Sequence, residues 1–213
     1  PPAWLTEEVR RRHWESCGPH SARESRGYDS APDPLHPRQP VEAASMDDVR
    51  RMFDGYDTGV RYADDHIGRL VNALADQGVL DETAIIVSSD HGECLGEMNV
   101  YGDHQTADEV TTHVPMIVRW PAVGSGSTPR VDAALHYQFD VAATIIELAG
   151  GAMPRGWDGV SFAPAFRAGS DSGRSSLVVS QGAWSCQRSV RFDRFLCIRT
   201  YHDGYHGYPP LML

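Results

Sequence analysis

The segment SSDHGE at residues 88 to 93 places an aspartate, a histidine and a glutamate around one glycine, directly after the apolar run TAIIV. A carboxylate oxygen of Asp90 and an imidazole nitrogen of His91, on adjacent residues of a sharp turn, could both bind one metal cation. The alternative is structural: Asp90 accepts backbone N–H hydrogen bonds in the turn, and His91 packs as a satisfied histidine. The hexapeptide alone supports both interpretations.

Helical and strand patterns alternate around this segment, which predicts an α/β fold. A long amphipathic helix begins at the candidate N-cap Ser45 and stops near Gly78. Residues 83–89 form a short, unalternating apolar run, which is typical of a strand in a parallel sheet covered on both faces. A second such strand at 114–120 and a helix at 139–151 follow. We therefore expect a mixed, largely parallel sheet flanked by helices, with the charged turn beyond the carboxyl end of one strand.

The pattern changes after a segment rich in proline and glycine, where SLVVSQ, RSVRF and RFLCIR predict three short strands. Asp193 and Arg194 lie between the last two strands and are suited to a tight turn. This part of the sequence therefore predicts a small antiparallel sheet near the C-terminal end of the chain.

Composition argues against two classes of partner. The chain has 19 Lys and Arg against 29 Asp and Glu, a formal charge of −10, which would repel a phosphate backbone, so we expect no nucleic acid. No stretch approaches the about 20 apolar residues of a membrane span, so we expect none. The four cysteines form neither a CxxC pair nor a dense framework, so we expect free thiols.

The run IIVSSDHGECLGEMNVYGDHQTADEVTTHVPMIVRWP resembles the sulfatases of the alkaline-phosphatase superfamily. Members carry a strand, then S-D-H-G-E or S-D-N-G, then L-G-E or L-G-D, a basic residue in a glycine-containing loop, and V-P or I-P opening a strand. The likeness continues in DGYDTGVRYADDHIGRLVNAL, FDVAATIIELAGG and WDGVSFAPAF, so that it covers roughly residues 45 to 200.

The resemblance implies an alkaline-phosphatase-like core that is incomplete in this sequence. Residues 45–170 would be the second half of that α/β core, and residues 171–213 would begin a small antiparallel C-terminal subdomain. Residues 1–44, rich in Pro, Arg, Ser and His, would be an irregular connecting segment.

Carried over residue by residue, the resemblance implies that Asp90 and His91 complete a metal site, which usually holds calcium in this branch. His91 suits Zn²⁺ or Mn²⁺ better, and other branches use an Asp-His pair on those metals. His104 lies where many relatives place a lysine, which implies contact with the sulfate or protonation of the leaving group; the alternative is a solvated loop histidine. We expect Glu93 to orient the loop and His113 to be structural.

The nucleophile of the family is missing from this sequence. Sulfatases use a C-x-P-S-R or S-x-P-S-R element that matures to formylglycine, whereas CGPHSAR at 17–23 has two extra residues and no strand before it. We therefore interpret Cys17 as unrelated to catalysis. We expect the nucleophile in an N-terminal part that precedes these residues, and we regard the sequence as an internal fragment that is inactive alone.

The resemblance implies a metal-dependent hydrolase that cleaves a sulfate ester of a small molecule or saccharide. The alternatives are a phosphodiesterase or phosphonate monoester hydrolase of the same superfamily, and a catalytically incomplete fragment that acts only as a binding or structural domain. Trp4 and Trp14, among many arginines, suggest subunit contacts and hence a homo-oligomer. The sequence does not decide between a cytoplasmic and an exported protein.

Overall fold

The computed structural model describes residues 2–9, 45–97, 101–104, 106–124, 129–168, 173–181 and 186–201. Cys17 and Trp14 lie outside the described residues. The helices are α1 (Met46–Asp76), α2 (Glu109–Thr112), α3 (Pro121–Gly124), α4 (Gln138–Leu148) and α5 (Ala163–Ala168), with a 3₁₀ turn at Leu80–Glu82. The strands are β1 (Ile85–Ser88), β2 (Cys94–Leu95), β3 (Tyr101–Asp103), β4 (Met116–Arg119), β5 (Ser176–Gln181), β6 (Gln187–Phe192) and β7 (Phe195–Thr200). Helices and strands are interleaved from α1 to α4, which fits the predicted α/β fold.

Helix α1 begins and ends where the sequence predicts. Ser45 Oγ accepts a hydrogen bond from the backbone N–H of Asp48 at 3.2 Å, and Gly78 follows the helix with a φ of 71°. The buried residues of the helix are Met52 and Gly55. The amphipathic pattern predicts an apolar stripe in which apolar residues recur every three or four positions, but four of its side chains are exposed: Phe53, Tyr56, Val60 and Leu70. The stripe therefore predicts the period of the helix but not which residues are covered. Among the described residues, no helix combines the length and the apolar character that a membrane crossing requires.

The N-terminal segment packs on α1 through Trp4. The indole N–H of Trp4 donates to the carboxylate of Asp65, and the guanidinium of Arg61 lies 4.3 Å from the ring centroid. A helical turn at residues 7–9 follows. Because these contacts lie within one chain, they add no support to the expected homo-oligomer, which stays a prediction.

Strand β1 pairs with β4 in antiparallel register, from Ile85 opposite Arg119 to Ser88 opposite Met116. All strand pairs that the described residues form are antiparallel, so the predicted parallel sheet is not confirmed. An apolar run indicates that a strand is covered, whereas its direction depends on how the chain returns to the neighbouring strand. The carboxyl end of β1 opens directly onto the charged turn.

The C-terminal strands form an antiparallel sheet in the order β5-β6-β7, as predicted. Phe192 pairs with Phe195 across a two-residue turn in which Asp193 has a φ of 46°, so the predicted turn is also confirmed. The buried side chain of Gln187 ties this sheet to the loop before α2, because its Oε1 accepts the backbone N–H of Ala107 at 2.9 Å.

Asp140 connects α4 to the segment that precedes β5. Its side chain is 1% exposed, and its two oxygens accept the backbone N–H groups of Tyr137 at 2.8 Å and Val160 at 2.7 Å. Arg174 donates two further hydrogen bonds to the same carboxylate, at 2.7 and 3.0 Å. Burial raises the pKa of Asp140, but the hydrogen bonds from Arg174, Val160 and Tyr137 outweigh it and hold the pKa below its ordinary value. Asp140 therefore caps α4 from inside its first turn.

Replacing Asp140 should destabilise the protein in a pH-dependent way. Asp140→Asn is expected to lower the free energy of unfolding by about 3 kcal/mol at pH 7, because Arg174 loses its charged partner. The pKa of Asp140 is lower in the folded protein than its ordinary value of 3.8, so its stabilising contribution is present above that value and is lost as the pH falls through the folded pKa. Urea unfolding from pH 7 to pH 2.5 should show the difference shrinking below pH 3.8.

Asp81→Asn is the matched control. The Asp81 side chain is 95% exposed and pairs with Arg119 at 2.7 Å, so its replacement should change the free energy of unfolding by less than about 1 kcal/mol. Equal losses of stability in the Asp140 and Asp81 variants would contradict the role given to the Asp140–Arg174 pair.

Candidate functional site

The turn after β1 lies flat against α2 because residue 92 is glycine. The backbone N–H of Gly92 donates to the carbonyl oxygen of Thr111 at 2.8 Å. A Cβ on residue 92 would lie 1.8 Å from the carbonyl oxygen of Val110 and 2.9 Å from its carbonyl carbon, which are distances that real side chains do not adopt. Only glycine permits this approach, and the approach fixes the turn relative to α2.

A buried polar cluster around Cys94 supports the charged turn from the interior of the protein. Asp108, the N-cap of α2, accepts the backbone N–H of Thr111 at 2.8 Å and the hydroxyl of Thr106. The Sγ atom of Cys94 lies 3.4 Å from the carboxylate of Asp108. Burial raises the pKa of the Cys94 thiol to about 11, so Cys94 is a neutral packing residue rather than a nucleophile. The cluster joins the chain after the charged turn to the chain that enters α2.

Asp90 and His91 direct one oxygen and one nitrogen toward each other. Oδ1 of Asp90 accepts the backbone N–H of His91 at 3.0 Å; this bond, with the nearby imidazole, lowers the pKa of Asp90. Nδ1 of His91 lies 2.9 Å from the carbonyl oxygen of Gly92, which can only accept, so in the neutral ring Nε2 carries the lone pair. Nε2 lies 3.7 Å from Oδ2 of Asp90.

Both interpretations of the hexapeptide therefore have a counterpart in the structure. The backbone hydrogen bond of the structural alternative is present, but it uses one carboxylate oxygen of Asp90 and leaves the other directed at the imidazole. The Asp90 side chain is 88% exposed and that of His91 is 40% exposed, which suits contact with a solute better than packing in a core.

His104 joins this pair from across the loop. Its ring stacks on the ring of His91 with centroids 3.7 Å apart and planes inclined by 22°. Its Nδ1 lies 3.1 Å from Oε2 of Glu93, so the glutamate orients the ring. The sequence assigns Glu93 to orientation of the loop but does not indicate its partner, because the two residues meet only after the loop has folded.

One ligand atom from each of His91, Glu93 and His104 lies within 4.8 Å of the other two, so this trio is a second candidate metal centre. The stacked rings argue against it. An imidazole binds a metal in its own plane at about 2.1 Å. Because the two rings lie nearly parallel at 3.7 Å, one ion cannot lie in both planes unless a ring rotates. The stacked arrangement of the two rings therefore disfavours a metal centre shared by His91, Glu93 and His104.

The structure also shows the contacts of His113 and Gln138. His113, expected to be structural, has a 75% exposed side chain whose Nδ1 lies 3.0 Å from Oε1 of Glu109. Gln138, the first residue of α4, donates from Nε2 to the carbonyl oxygens of Ser89 and Asp90 at 2.6 and 3.1 Å. Sequence reasoning missed Gln138, since a single glutamine at the start of a helix carries no motif.

Comparison with known proteins identifies the family. The family model described as Sulfatase matches residues 9–152. The chain belongs to the sulfatase family. A sulfatase relative, the choline-sulfatase of Rhizobium meliloti (strain 1021), is 32% identical over 121 residues, which are 55% of this chain and 23% of the relative. The N-acetylglucosamine-6-O-sulfatase of Bacteroides thetaiotaomicron is 37% identical over 102 residues, 47% of this chain and 18% of that sulfatase.

Solved structures agree at the level of the fold. The structure of BT4656 in complex with its substrate D-glucosamine-2-N,6-O-disulfate matches with a TM-score of 0.64 and 24% identity, over 84% of this chain and 36% of that chain. BT1596, a 2-O GAG sulfatase, matches with a TM-score of 0.58 and 20% identity, over 74% of this chain and 35% of that chain. This sulfatase chain thus spans about a third of the solved chains and less than a quarter of the two curated relatives.

Gly92→Ala should damage the site, whereas a matched glycine should tolerate the same change. The added methyl group would displace the turn from α2, so we expect a loss of about 2 kcal/mol or more in the free energy of unfolding. Gly68→Ala, inside α1, places its Cβ where no atom lies within 4 Å, and helix propensity should stabilise it by up to about 1 kcal/mol. Urea unfolding measures both; a Gly92→Ala protein as stable as the parent would refute the steric argument.

Proposed function

We propose that the protein containing this chain is a divalent-cation-dependent hydrolase of sulfate esters, with a sulfated saccharide as its substrate class. The match of the family to residues 9–152 carries the reaction type. The substrate class rests on relatives such as the N-acetylglucosamine-6-O-sulfatase and on the disulfated glucosamine of the BT4656 complex. Since the chain spans only part of these proteins, both statements are proposals for the whole protein.

The donor pair of the charged turn fits a divalent cation. Oδ2 of Asp90 and Nε2 of His91 lie 3.7 Å apart, a separation that one ion with bonds of about 2.3 Å to each can bridge. The carboxylate of Asp90 is ionised at neutral pH, as a metal ligand must be, and the backbone N–H of His91 lowers its pKa further. We propose Ca²⁺, with Mn²⁺ and Zn²⁺ as the alternatives that the imidazole nitrogen favours. When bound, the cation would neutralise the sulfate oxygens and activate the nucleophile.

His104 is the residue that we propose to act on the leaving group. Glu93 holds its Nδ1, and the stack on His91 keeps the ring beside the cation ligands. From this position, the protonated ring would donate a proton from Nε2 to the departing alcohol oxygen, or hold the sulfate by a hydrogen bond. In either role the imidazole replaces the lysine that many relatives carry.

The remaining parts of the reaction belong to the expected whole protein. The nucleophile would be a formylglycine in a preceding segment. Residues 45–170 would be the second half of an α/β core with a mixed, largely parallel sheet, and residues 171–213 would begin the C-terminal subdomain. The contacts of Gln187 and Arg174 support a fixed relation between these two parts of the chain.

Phosphate diesters or phosphonate monoesters are the second candidate substrates. The observation that favours them is a relative named multifunctional alkaline phosphatase superfamily protein PehA, from Trinickia caryophylli, which is 31% identical over 131 residues, 61% of this chain and 25% of that protein. Charge and geometry at phosphorus resemble those at sulfur, so the same cation ligands and the same histidine would serve either ester.

Single substitutions at the site should separate these roles. In the whole protein, we expect Asp90→Ala to reduce kcat/KM for 4-nitrophenyl sulfate by more than about 100-fold through loss of the cation. His104→Ala should reduce kcat by about 100-fold to 10,000-fold, the range for general acid catalysis. Removal of metal with EDTA should abolish turnover in the parent protein, and added Ca²⁺ should restore it.

His113→Ala is the matched control, because this histidine is exposed and pairs with Glu109. Its kinetics should equal those of the parent protein.

Faster turnover of bis(4-nitrophenyl) phosphate than of the sulfate ester would favour the second candidate. Equal activity of the Asp90, His104 and His113 variants would contradict both. No activity of the whole protein toward these two esters and toward a sulfated glucosamine would leave a binding or structural domain.

A further inference from the structure

We infer that Gln138 is a positioning residue that holds the cation-binding turn in place from α4; this inference rests on the proposed function. Nε2 of Gln138 donates to the carbonyl oxygens of Ser89 and Asp90, at 2.6 and 3.1 Å. The two N–H groups of one amide thus serve two consecutive carbonyls of the turn. Only the nitrogen end of the amide can do this, because its oxygen would be repelled by both carbonyls.

These carbonyls lie where the strand ladder can no longer order the backbone. The pairing of β1 with β4 ends at Ser88, opposite Met116. Beyond it, the turn is held at Gly92 by the hydrogen bond to Thr111, three residues after Ser89. Gln138 acts between these two points, across 48 and 49 residues of sequence, on the stretch of backbone from which the Asp90 side chain extends.

Helix α4 is a firm base for this contact. Asp140, two residues further along, is 1% exposed and takes four hydrogen bonds. Thr144, one turn later, donates to the carbonyl oxygen of Asp140 at 2.7 Å and accepts the backbone N–H of Phe162 at 3.0 Å. The start of the helix is therefore fixed to the core. The hydrogen bonds from Gln138 thus hold the turn at a fixed position relative to the core.

Loss of the Gln138 contact should weaken binding of the cation rather than destabilise the fold. The Asp90 side chain is 88% exposed, and its Oδ1 accepts the backbone N–H of the next residue, so its direction in space follows the local backbone. Freeing that backbone would require Asp90 and His91 to be ordered again each time a cation binds. Hydrogen-bonding partners that orient metal ligands in this way are typically responsible for a 10-fold to 100-fold gain in affinity.

The test compares Gln138→Met, which keeps the length of the side chain and removes its donors, with Gln77→Met at the exposed C-cap of α1. Ca²⁺, and separately Mn²⁺, are titrated into the metal-free whole protein by calorimetry. We expect the Gln138 variant to bind at least about 10-fold more weakly and the Gln77 variant to bind like the parent. In EDTA, the Tm of the Gln138 variant should stay within about 4 °C of the parent value.

A kinetic readout separates positioning from chemistry. At saturating cation, kcat of the Gln138 variant should return to within about 2-fold of the parent value, because a residue that acts through the cation ligands affects binding of the cation and not the chemical step. Unchanged cation affinity in the Gln138 variant would overturn the inference alone. A much larger fall in Tm without metal would overturn it in favour of a role in folding. Absence of binding by the parent protein would instead overturn the proposed function, and the inference with it.

Discussion

The contact between the backbone of Gly92 and helix α2 is the constraint on which the site depends. Two segments far apart on the loop, one leaving β1 and one entering α2, meet there at a distance that excludes any side chain. The hydrogen bond to Thr111 is worth about 1 kcal/mol by itself. The steric limit is stronger, because it allows one arrangement of the turn. His91 and Glu93 therefore lie within reach of His104.

The site combines exposed side chains with a buried polar cluster whose hydrogen-bonding groups are satisfied. Below the turn, Asp108 accepts hydrogen bonds from Thr106 and Thr111, and Cys94 packs against it as a neutral thiol. Such a network rigidifies its surroundings because a half-satisfied buried carboxylate would be costly. Above it, Asp90 remains solvated, so keeping it ionised requires little compensation. To bind a cation and a charged ester from solution, a site requires both a rigid support and a solvated carboxylate.

The sequence predicted the elements of this architecture better than their arrangement. Ser45, Gly78 and the strands of the C-terminal sheet follow from local rules of capping, periodicity and turn chemistry, and the structure has them. The direction of β1 and the exposed stripe of α1 were not predictable in the same way, because both depend on neighbours far along the chain. Asp90, His91 and His104 were indicated by a motif, whereas Gln138 and the Glu93–His104 pair exist only in three dimensions.

The most direct test of the account is where a divalent cation binds in crystals of the whole protein soaked in Mn²⁺ and measured by anomalous diffraction. We predict one peak within about 2.5 Å of both Oδ2 of Asp90 and Nε2 of His91, with both nitrogens of His104 outside bonding distance. A peak shared by His91, Glu93 and His104, or no peak at the end of β1, would contradict it.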